Sequence, residues 1–131
     1  MELRSVEELM DLLHAGRPQH ALRTAALLRR GRPADKELQV AGLVLGIGPV
    51  LCPEDEAARA RSAAEAVRAL LGERVFRLVR GDADPADDDA LRLRQAGEES
   101  RTAGLDAGVL EDWRTVLELV AARHARLGAV D

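Results

Sequence analysis

The stretch "QVAGLVLGIGPVL", residues 39–51, is apolar on nearly every side and is interrupted at Gly46-Ile47-Gly48-Pro49. A helix that is apolar all round has no face suited to solvent, so it is buried among other elements. Asp35 can cap such a helix, because its carboxylate can accept hydrogen bonds from the free backbone N–H groups of the first turn. The stretch therefore predicts a central helix that reaches about Leu45 and is followed by a bend.

The rest of the chain also has helical periodicity, with apolar residues three and four positions apart. Ser5 and Glu8 form a capping box at the start of a first helix over residues 5–14, and a second helix is predicted from Pro18 to Gly31. Further helices are predicted over residues 53–72, 73–80, 86–96 and 109–127. No segment has a convincing strand pattern, so the sequence predicts an all-α fold, a single-domain bundle of six to seven helices over residues 1–131.

The composition is typical of a globular protein, with 47% hydrophobic and 32% charged residues in a chain of 131. No apolar run approaches the roughly 20 residues that span a membrane, and the acidic N-terminal "MELRSVEELM" does not resemble a signal peptide. We therefore expect a cytoplasmic protein with no membrane partner. The single cysteine, Cys52, cannot form an internal disulfide.

Charge is spread unevenly along the chain, whose net charge is −4. Residues 17–36 carry six basic residues against Asp35 alone, whereas residues 82–89 carry five aspartates and no basic residue. This pattern predicts a molecule with a basic and an acidic pole. We do not expect a nucleic acid partner, because such surfaces usually place aromatic residues for base stacking and the chain has only Phe76 and Trp113.

The segment "LRTAALLRRGRPADKELQVAGLVLGIG", residues 22–48, follows Gln19-His20-Ala21. It resembles a motif of the HD-domain superfamily of metal-dependent phosphohydrolases. The resemblance is closer to that superfamily's di-iron oxygenases, which include the phosphonate-cleaving oxygenases and myo-inositol oxygenase. Two later stretches are similar to later motifs of the same branch, "LLGERVFRLVRGDA" at residues 70–83 and "ALRLRQAGEESRTAGLDAGVLEDWRTVLELV" at residues 90–120. The resemblance implies a helical bundle of the HD-domain type.

The resemblance also implies where the metal ligands of the family would lie, and most of those positions have no donor atom here. The first histidine is retained as His20. The His-Asp pair falls on Leu45 and Gly46, and the other ligand positions fall on Pro49, Arg59, Asp82 and either Gly97 or Glu98. Only His20, Asp82 and Glu98 keep a side-chain donor, too few to hold two metals. We therefore predict no bound metal, no cofactor, and no hydrolase or oxygenase activity of the family type.

The other candidates for chemistry give weaker signals. Of the two remaining histidines, His14 is interpreted as a cation at a helix C-terminus. His124 is interpreted as a packing residue, because it shares one side of the last predicted helix with Trp113, Leu117, Val120 and Leu127. Ser62 and Ser100 have no neighbouring histidine in the sequence, so acyl-transfer chemistry is not predicted.

Three functions stay open. The favoured one is a catalytically inactive, metal-free HD-like domain that acts as a binding module for a protein partner, a second copy in a homodimer, or a sensed small molecule. The alternative is a metal-free enzyme, such as a cyclase or isomerase of specialised metabolism. His20 or Asp82 would act as acid or base in the cavity where the family holds its metals. The third is a subunit that stabilises an active paralogue. A closed apolar cavity beside His20 or Asp82 would favour the enzyme. A cavity filled by Leu45 and Pro49, with an exposed apolar patch, would favour the binding module.

Overall fold

The computed structural model describes residues 2–16, 18–81, 87–101 and 108–129, and all regular elements in these ranges are helical. The α-helices are α1 (Val6–Ala15), α2 (Gln19–Gly31), α3 (Lys36–Val44), α4 (Gly48–Leu51), α5 (Arg59–Leu71), α6 (Glu73–Arg80), α7 (Asp88–Glu99) and α8 (Arg114–Ala129). Short 3-10 turns cover Leu45–Ile47, Glu56–Ala58 and Leu110–Trp113. Because α4 is a single turn, seven longer helices form the bundle. The predicted all-α fold of six to seven helices is confirmed.

α3 lies at the centre of the bundle, as its all-round apolar sequence predicts. Seven consecutive residues, from Leu38 to Val44, are buried, and α3 contacts α2, α5, α6, α7 and α8. The buried amide of Gln39 donates hydrogen bonds through Nε2 to the carbonyl oxygens of Arg32 (2.8 Å) and Pro33 (3.2 Å). These bonds satisfy an amide that would be costly to bury without partners. Because Arg32 and Pro33 lie between α2 and α3, the same bonds fix the loop that joins the two helices.

The bend predicted after α3 takes the form of a 3-10 turn that leads directly into α4. Pro49 lies in the first turn of α4, where its missing N–H costs no helical hydrogen bond. Among the described glycines, only Gly72, Gly81 and Gly108 have a positive φ. Gly46 and Gly48 are therefore not needed for a left-handed turn, and their role is close packing.

Most of the predicted helix ends agree with the structure to within three residues. The hydroxyl of Ser5 accepts a hydrogen bond from the backbone N–H of Glu8 (3.2 Å), and Asp35 accepts one from the N–H of Leu38 (3.1 Å). The largest differences are at the starts of α5 and α8, which the sequence predicts at residues 53 and 109 but which lie at Arg59 and Arg114, because a 3-10 turn precedes each helix. α7 continues to Glu99, three residues beyond the predicted end. Near that end the hydroxyl of Ser100 donates to the carbonyl of Gly97 at 2.8 Å and satisfies a carbonyl of the last turn.

Charged residues that are far apart in the sequence form one network in the fold. We define this charge network as Arg32, Asp35, Glu37, Arg74, Asp88 and Asp89. Arg74 lies at its centre, with its guanidinium nitrogens 2.7 Å from both carboxylate oxygens of Asp35 and 3.0 Å from Asp89. Arg32 pairs with Asp88 (2.6 Å) and also contacts Asp89 (3.1 Å). The network therefore links α3 and α6 with the end of α2 and the start of α7.

This network changes the interpretation of the uneven charge pattern. The basic stretch and the acidic stretch meet through Arg32, Asp88 and Asp89, so the predicted charge poles are wrong for these residues. Asp82 and Asp84, which belong to the same acidic stretch, lie outside the described residues. The hydrogen bonds from Arg74 hold the pKa of the Asp35 carboxyl below its ordinary value. The residues of the charge network therefore hold α3, α6 and α7 together.

Candidate functional site

Some of the positions that the family resemblance assigns to metal ligands line one open surface pocket of about 300 Å³. They are His20 from α2, Leu45 from the turn after α3, and Gly97 and Glu98 from α7. The buried side chains of Leu78, Val79 and Leu93 form an apolar floor. We call this cavity the His20 pocket. It brings together a ring nitrogen, a carboxylate and apolar surface, which is a small but mixed set of binding groups.

The other positions that the resemblance assigns to ligands lie elsewhere. Pro49 is exposed on α4. Arg59 donates from Nε to the carbonyl of Cys52 (2.9 Å) and from a terminal nitrogen to the carbonyl of Pro53 (2.8 Å), so its side chain holds the segment after α4. Asp82 lies outside the described residues, and its role as an acid or base stays a prediction. Within the described ranges, no three His, Cys, Asp or Glu side chains form a group that could hold a metal ion.

There is no room for a side chain at Gly46, where the resemblance places the family's aspartate. A Cβ at this position would lie 2.9 Å from the Cβ of Ala21 and 3.3 Å from Cδ2 of Leu13. A Cβ at Gly48 would likewise lie 2.9 Å from the Cβ of Arg59. Carbon atoms do not approach this closely without displacement, and packed cores resist such displacement. α1, α2 and α5 therefore close directly onto the backbone at Gly46 and Gly48.

His20 is joined to Ser100, which is 80 residues away in the sequence. Nδ1 of His20 lies 2.9 Å from Oγ of Ser100. The same Oγ lies 3.0 Å from the hydroxyl of Thr24 and 2.8 Å from the carbonyl oxygen of Gly97. The inference that Ser100 has no neighbouring histidine is therefore wrong in the fold. No local pattern signals this contact, because it depends on how α2 packs against the end of α7.

The contact between Ser100 and His20 does not make a nucleophilic site. Ser100 is fully buried, so a substrate carbonyl cannot reach its Oγ. Its hydroxyl proton already has an acceptor in the carbonyl of Gly97. Arg23 donates from Nε to the carbonyl of Ser100 at 2.9 Å, which adds a second link between α2 and this segment. The arrangement orients the His20 ring and stabilises the packing of α2 against α7.

The surroundings of the His20 imidazole favour its neutral form. Partial burial of the ring lowers its pKa below the ordinary value, and the positive charges of Arg101 and Arg23 lower it further. His20 is exposed as a whole residue, but its Nδ1 faces the buried Ser100 hydroxyl. A neutral imidazole can donate one hydrogen bond and accept another, so the ring contributes a polar contact without a charge.

We expect the substitution Arg101→Gln to raise the pKa of His20 toward its ordinary value. Arg101 is exposed and its charge opposes protonation of the ring, so its removal favours the imidazolium. NMR titration of the His20 ring protons measures the shift. Arg61→Gln removes an exposed arginine of α5 that does not line the pocket, and it should leave the pKa unchanged. Equal shifts in both variants would show that Arg101 has no local effect on the ring.

Both aromatic side chains belong to the core. Trp113 is 1% exposed and Phe76 is 5% exposed. The guanidinium of Arg29 lies 4.0 Å from the Trp113 ring centroid, and that of Arg68 lies 4.3 Å from the Phe76 centroid. Neither ring is free to stack on a base, although the absence of a nucleic acid partner stays a prediction. None of the helices in the described ranges has an apolar length sufficient to cross a lipid bilayer.

Comparison with protein-family models, with curated proteins and with solved structures gives no significant match. The relationship to the HD-domain superfamily therefore rests on the sequence motifs quoted above and stays a prediction.

Proposed function

We propose that the chain is a metal-free, HD-like binding module that takes a small molecule in the His20 pocket. This is the favoured function from the sequence, narrowed from a protein partner or a homodimer to a small ligand. The packing at Gly46 carries the proposal. It leaves no space for a metal-binding carboxylate, while the pocket beside His20 stays open.

The pocket is only partly filled by the residues that replace the family's ligands. Leu45 is half-buried and packs against the core, but Pro49 is exposed and does not enter the cavity. The large exposed apolar residues among those described are Leu91 on α7, Leu119 on α8, and Val109, which precedes the 3-10 turn Leu110–Trp113. A pocket of about 300 Å³ is at the small end of ligand sites, which range over about 300–1,000 Å³. The filled cavity with an exposed apolar patch that was expected of a binding module is therefore not found among the described residues, and the open pocket favours a small ligand over a protein partner.

A metal-free enzyme is the second candidate, because the neutral His20 ring lines the pocket and can accept a proton. This alternative needs a substrate whose acidic or basic atom reaches the imidazole. The pocket is open to solvent, whereas cyclases and isomerases of this kind enclose their substrates. The His20 imidazole could act as a base, but the pocket does not shield a substrate from water. Ligand binding without turnover is therefore the better supported function.

A fragment screen followed by native mass spectrometry tests the proposed function. We expect NMR signals of His20, Ala90 and Gly97 to shift on addition of small organic fragments, and the fragments to be recovered unchanged. Gly97→Leu should abolish these shifts without unfolding the protein, because a Cβ at position 97 meets no atom within 4 Å. Stoichiometric metal in the native mass, or no fragment that perturbs the pocket, would contradict the proposal. Conversion of a fragment that depends on His20 would favour the enzyme.

A further inference from the structure

We propose that the His20 pocket binds the carboxylate of a small organic acid through Arg94 and Arg101, with the apolar part of the acid on the pocket floor. This inference rests on the proposed function and names its ligand class.

Arg94 and Arg101 are the first observation that supports an acidic ligand. Both line the pocket and are exposed, and neither forms an ion pair or a side-chain hydrogen bond with any other residue of the described ranges. In contrast, Arg32 and Arg74 belong to the charge network, and Arg59 is bonded to backbone carbonyls. An unpaired guanidinium beside a cavity can bind a carboxylate through two parallel N–H donors.

The two arginines line the pocket from α7 and from the turn that follows it. Arg94 and Gly97 are three positions apart on α7 and share one helical face, and Arg101 lies in the turn two residues after Glu99, where the helix ends. Gly97 leaves open space at the pocket, since a Cβ there would meet no atom within 4 Å. Arg101 follows Ser100, and its backbone N–H donates to the carbonyl of Glu98 at 3.3 Å, which fixes the chain at this point.

The balance of charges in the pocket matches a single negative charge on the ligand. Two arginines, Arg94 and Arg101, stand against one carboxylate, Glu98, and the His20 ring is neutral. The formal charge of these side chains is therefore +1. The positive charge of Arg101 acts on His20, which lines the same pocket, and contributes to the lowered pKa of that ring. A monocarboxylate leaves the site neutral.

The floor of the pocket fits the apolar part of such an acid. Leu78, Val79 and Leu93 are 5%, 2% and 6% exposed, so their side chains are held in place by the core. Ala90, one turn before Arg94, contributes a small apolar side chain to the same wall. Apolar surface beside a cationic rim selects a ligand with a charged head and a short hydrocarbon body.

NMR titration of the full chain with hexanoate, 1-hexanol, hexylamine and hexyl phosphate tests the inference. We expect hexanoate to perturb the amides of Gly97 and Arg101 in a saturable way. The affinities of the alcohol and the amine should be about 10-fold or more lower, because they cannot accept a charge-assisted bond from the arginines. Hexyl phosphate is the second anion in the series, and tighter binding of this tetrahedral anion than of the planar carboxylate would assign the two arginines to a phosphate instead.

Matched variants assign the effect to the pocket. Arg101→Gln should lower the affinity for hexanoate about 10-fold or more, whereas Arg61→Gln, which removes the same charge outside the pocket, should leave it unchanged. Gly97→Leu should abolish binding while the circular dichroism spectrum stays that of a folded helical protein.

The outcomes separate this inference from the proposed function. Equal affinity for hexanoate and 1-hexanol, or equal losses in Arg101→Gln and Arg61→Gln, would overturn the carboxylate site. Tighter binding of hexylamine or hexyl phosphate at the same amides would also overturn it, but would leave the pocket as a binding site. If neither these four probes nor any screened fragment perturbs the pocket, both the inference and the proposed function fail.

Discussion

Gly46→Asp, which introduces the residue that the HD resemblance places at this position, is expected to lower the free energy of unfolding by about 3 kcal/mol or more. The new Cβ would meet the Cβ of Ala21 at 2.9 Å and Cδ2 of Leu13 at 3.3 Å, so α1 and α2 must move apart. The carboxylate would also be forced against apolar side chains, which adds a desolvation cost. Urea denaturation followed by circular dichroism measures the loss.

Two alanine variants separate this steric effect from helix propensity. Gly→Ala inside a helix usually stabilises by about 0.5–1 kcal/mol, because glycine loses more backbone entropy on folding. We expect that gain for Gly97→Ala, whose Cβ enters open space, and a loss of about 1–3 kcal/mol for Gly46→Ala, whose Cβ does not. If Gly46→Asp is as stable as the unmodified protein, there is room for a carboxylate at this position, and the close packing at Gly46 that carries the proposed function is wrong.

Arg74→Met is expected to lower the free energy of unfolding by about 2 kcal/mol at pH 7. The substitution removes the cation that Asp35, Glu37 and Asp89 share, and leaves three carboxylates close together. The Arg74 side chain is 37% exposed, so the loss is smaller than the 3–5 kcal/mol typical of a fully buried pair. Arg77→Met is the matched control on α6, because Arg77 is 73% exposed and pairs with Glu73 at 3.7 Å. It should cost about 0.5 kcal/mol or less.

The same variant should also change how stability depends on pH. The pKa of Asp35 is lowered in the folded protein, chiefly by its hydrogen bonds from Arg74. The stability from this pair is therefore present above the ordinary carboxyl pKa of about 4, and is lost as the pH falls through the lowered folded value. Urea midpoints between about pH 5 and pH 2 should fall less steeply in Arg74→Met than in the unmodified protein. Parallel curves for the two proteins would show that the charge network does not contribute in this way.

The elements that the sequence predicts best are those set by local signals. The apolar stretch from Val40 to Leu45 identifies α3 as the central helix, and Ser5 and Asp35 mark the starts of α1 and α3. The charge network is not predictable in this way. Arg74 and Asp35 are 39 positions apart, and each could equally belong to a solvent-exposed face. Their pairing is determined by the packing of α6 against α3, which no sequence window contains.

The candidate site likewise combines residues that the sequence indicated with residues that only the fold brings together. The resemblance to HD-domain motifs singled out His20, Leu45, Gly97 and Glu98, and these positions line one pocket. It did not indicate Ser100, Arg94 or Arg101, because none of them occupies a ligand position of the family. The closure at Gly46 is also invisible in the sequence, since a glycine gives the same signal whether a neighbouring helix touches it or not. Tertiary packing determines these features.

Titration of the isotopically labelled protein with Mn²⁺ tests most directly whether the chain binds no metal at the positions that the HD resemblance assigns to ligands. A paramagnetic ion held beside His20 would broaden the NMR signals of nuclei around it. With one equivalent of Mn²⁺, we predict that the His20 ring protons and the amides of Leu45, Gly46 and Glu98 keep their intensity. Saturable loss of these signals at one equivalent would show that a metal binds beside His20 and would contradict a metal-free binding module.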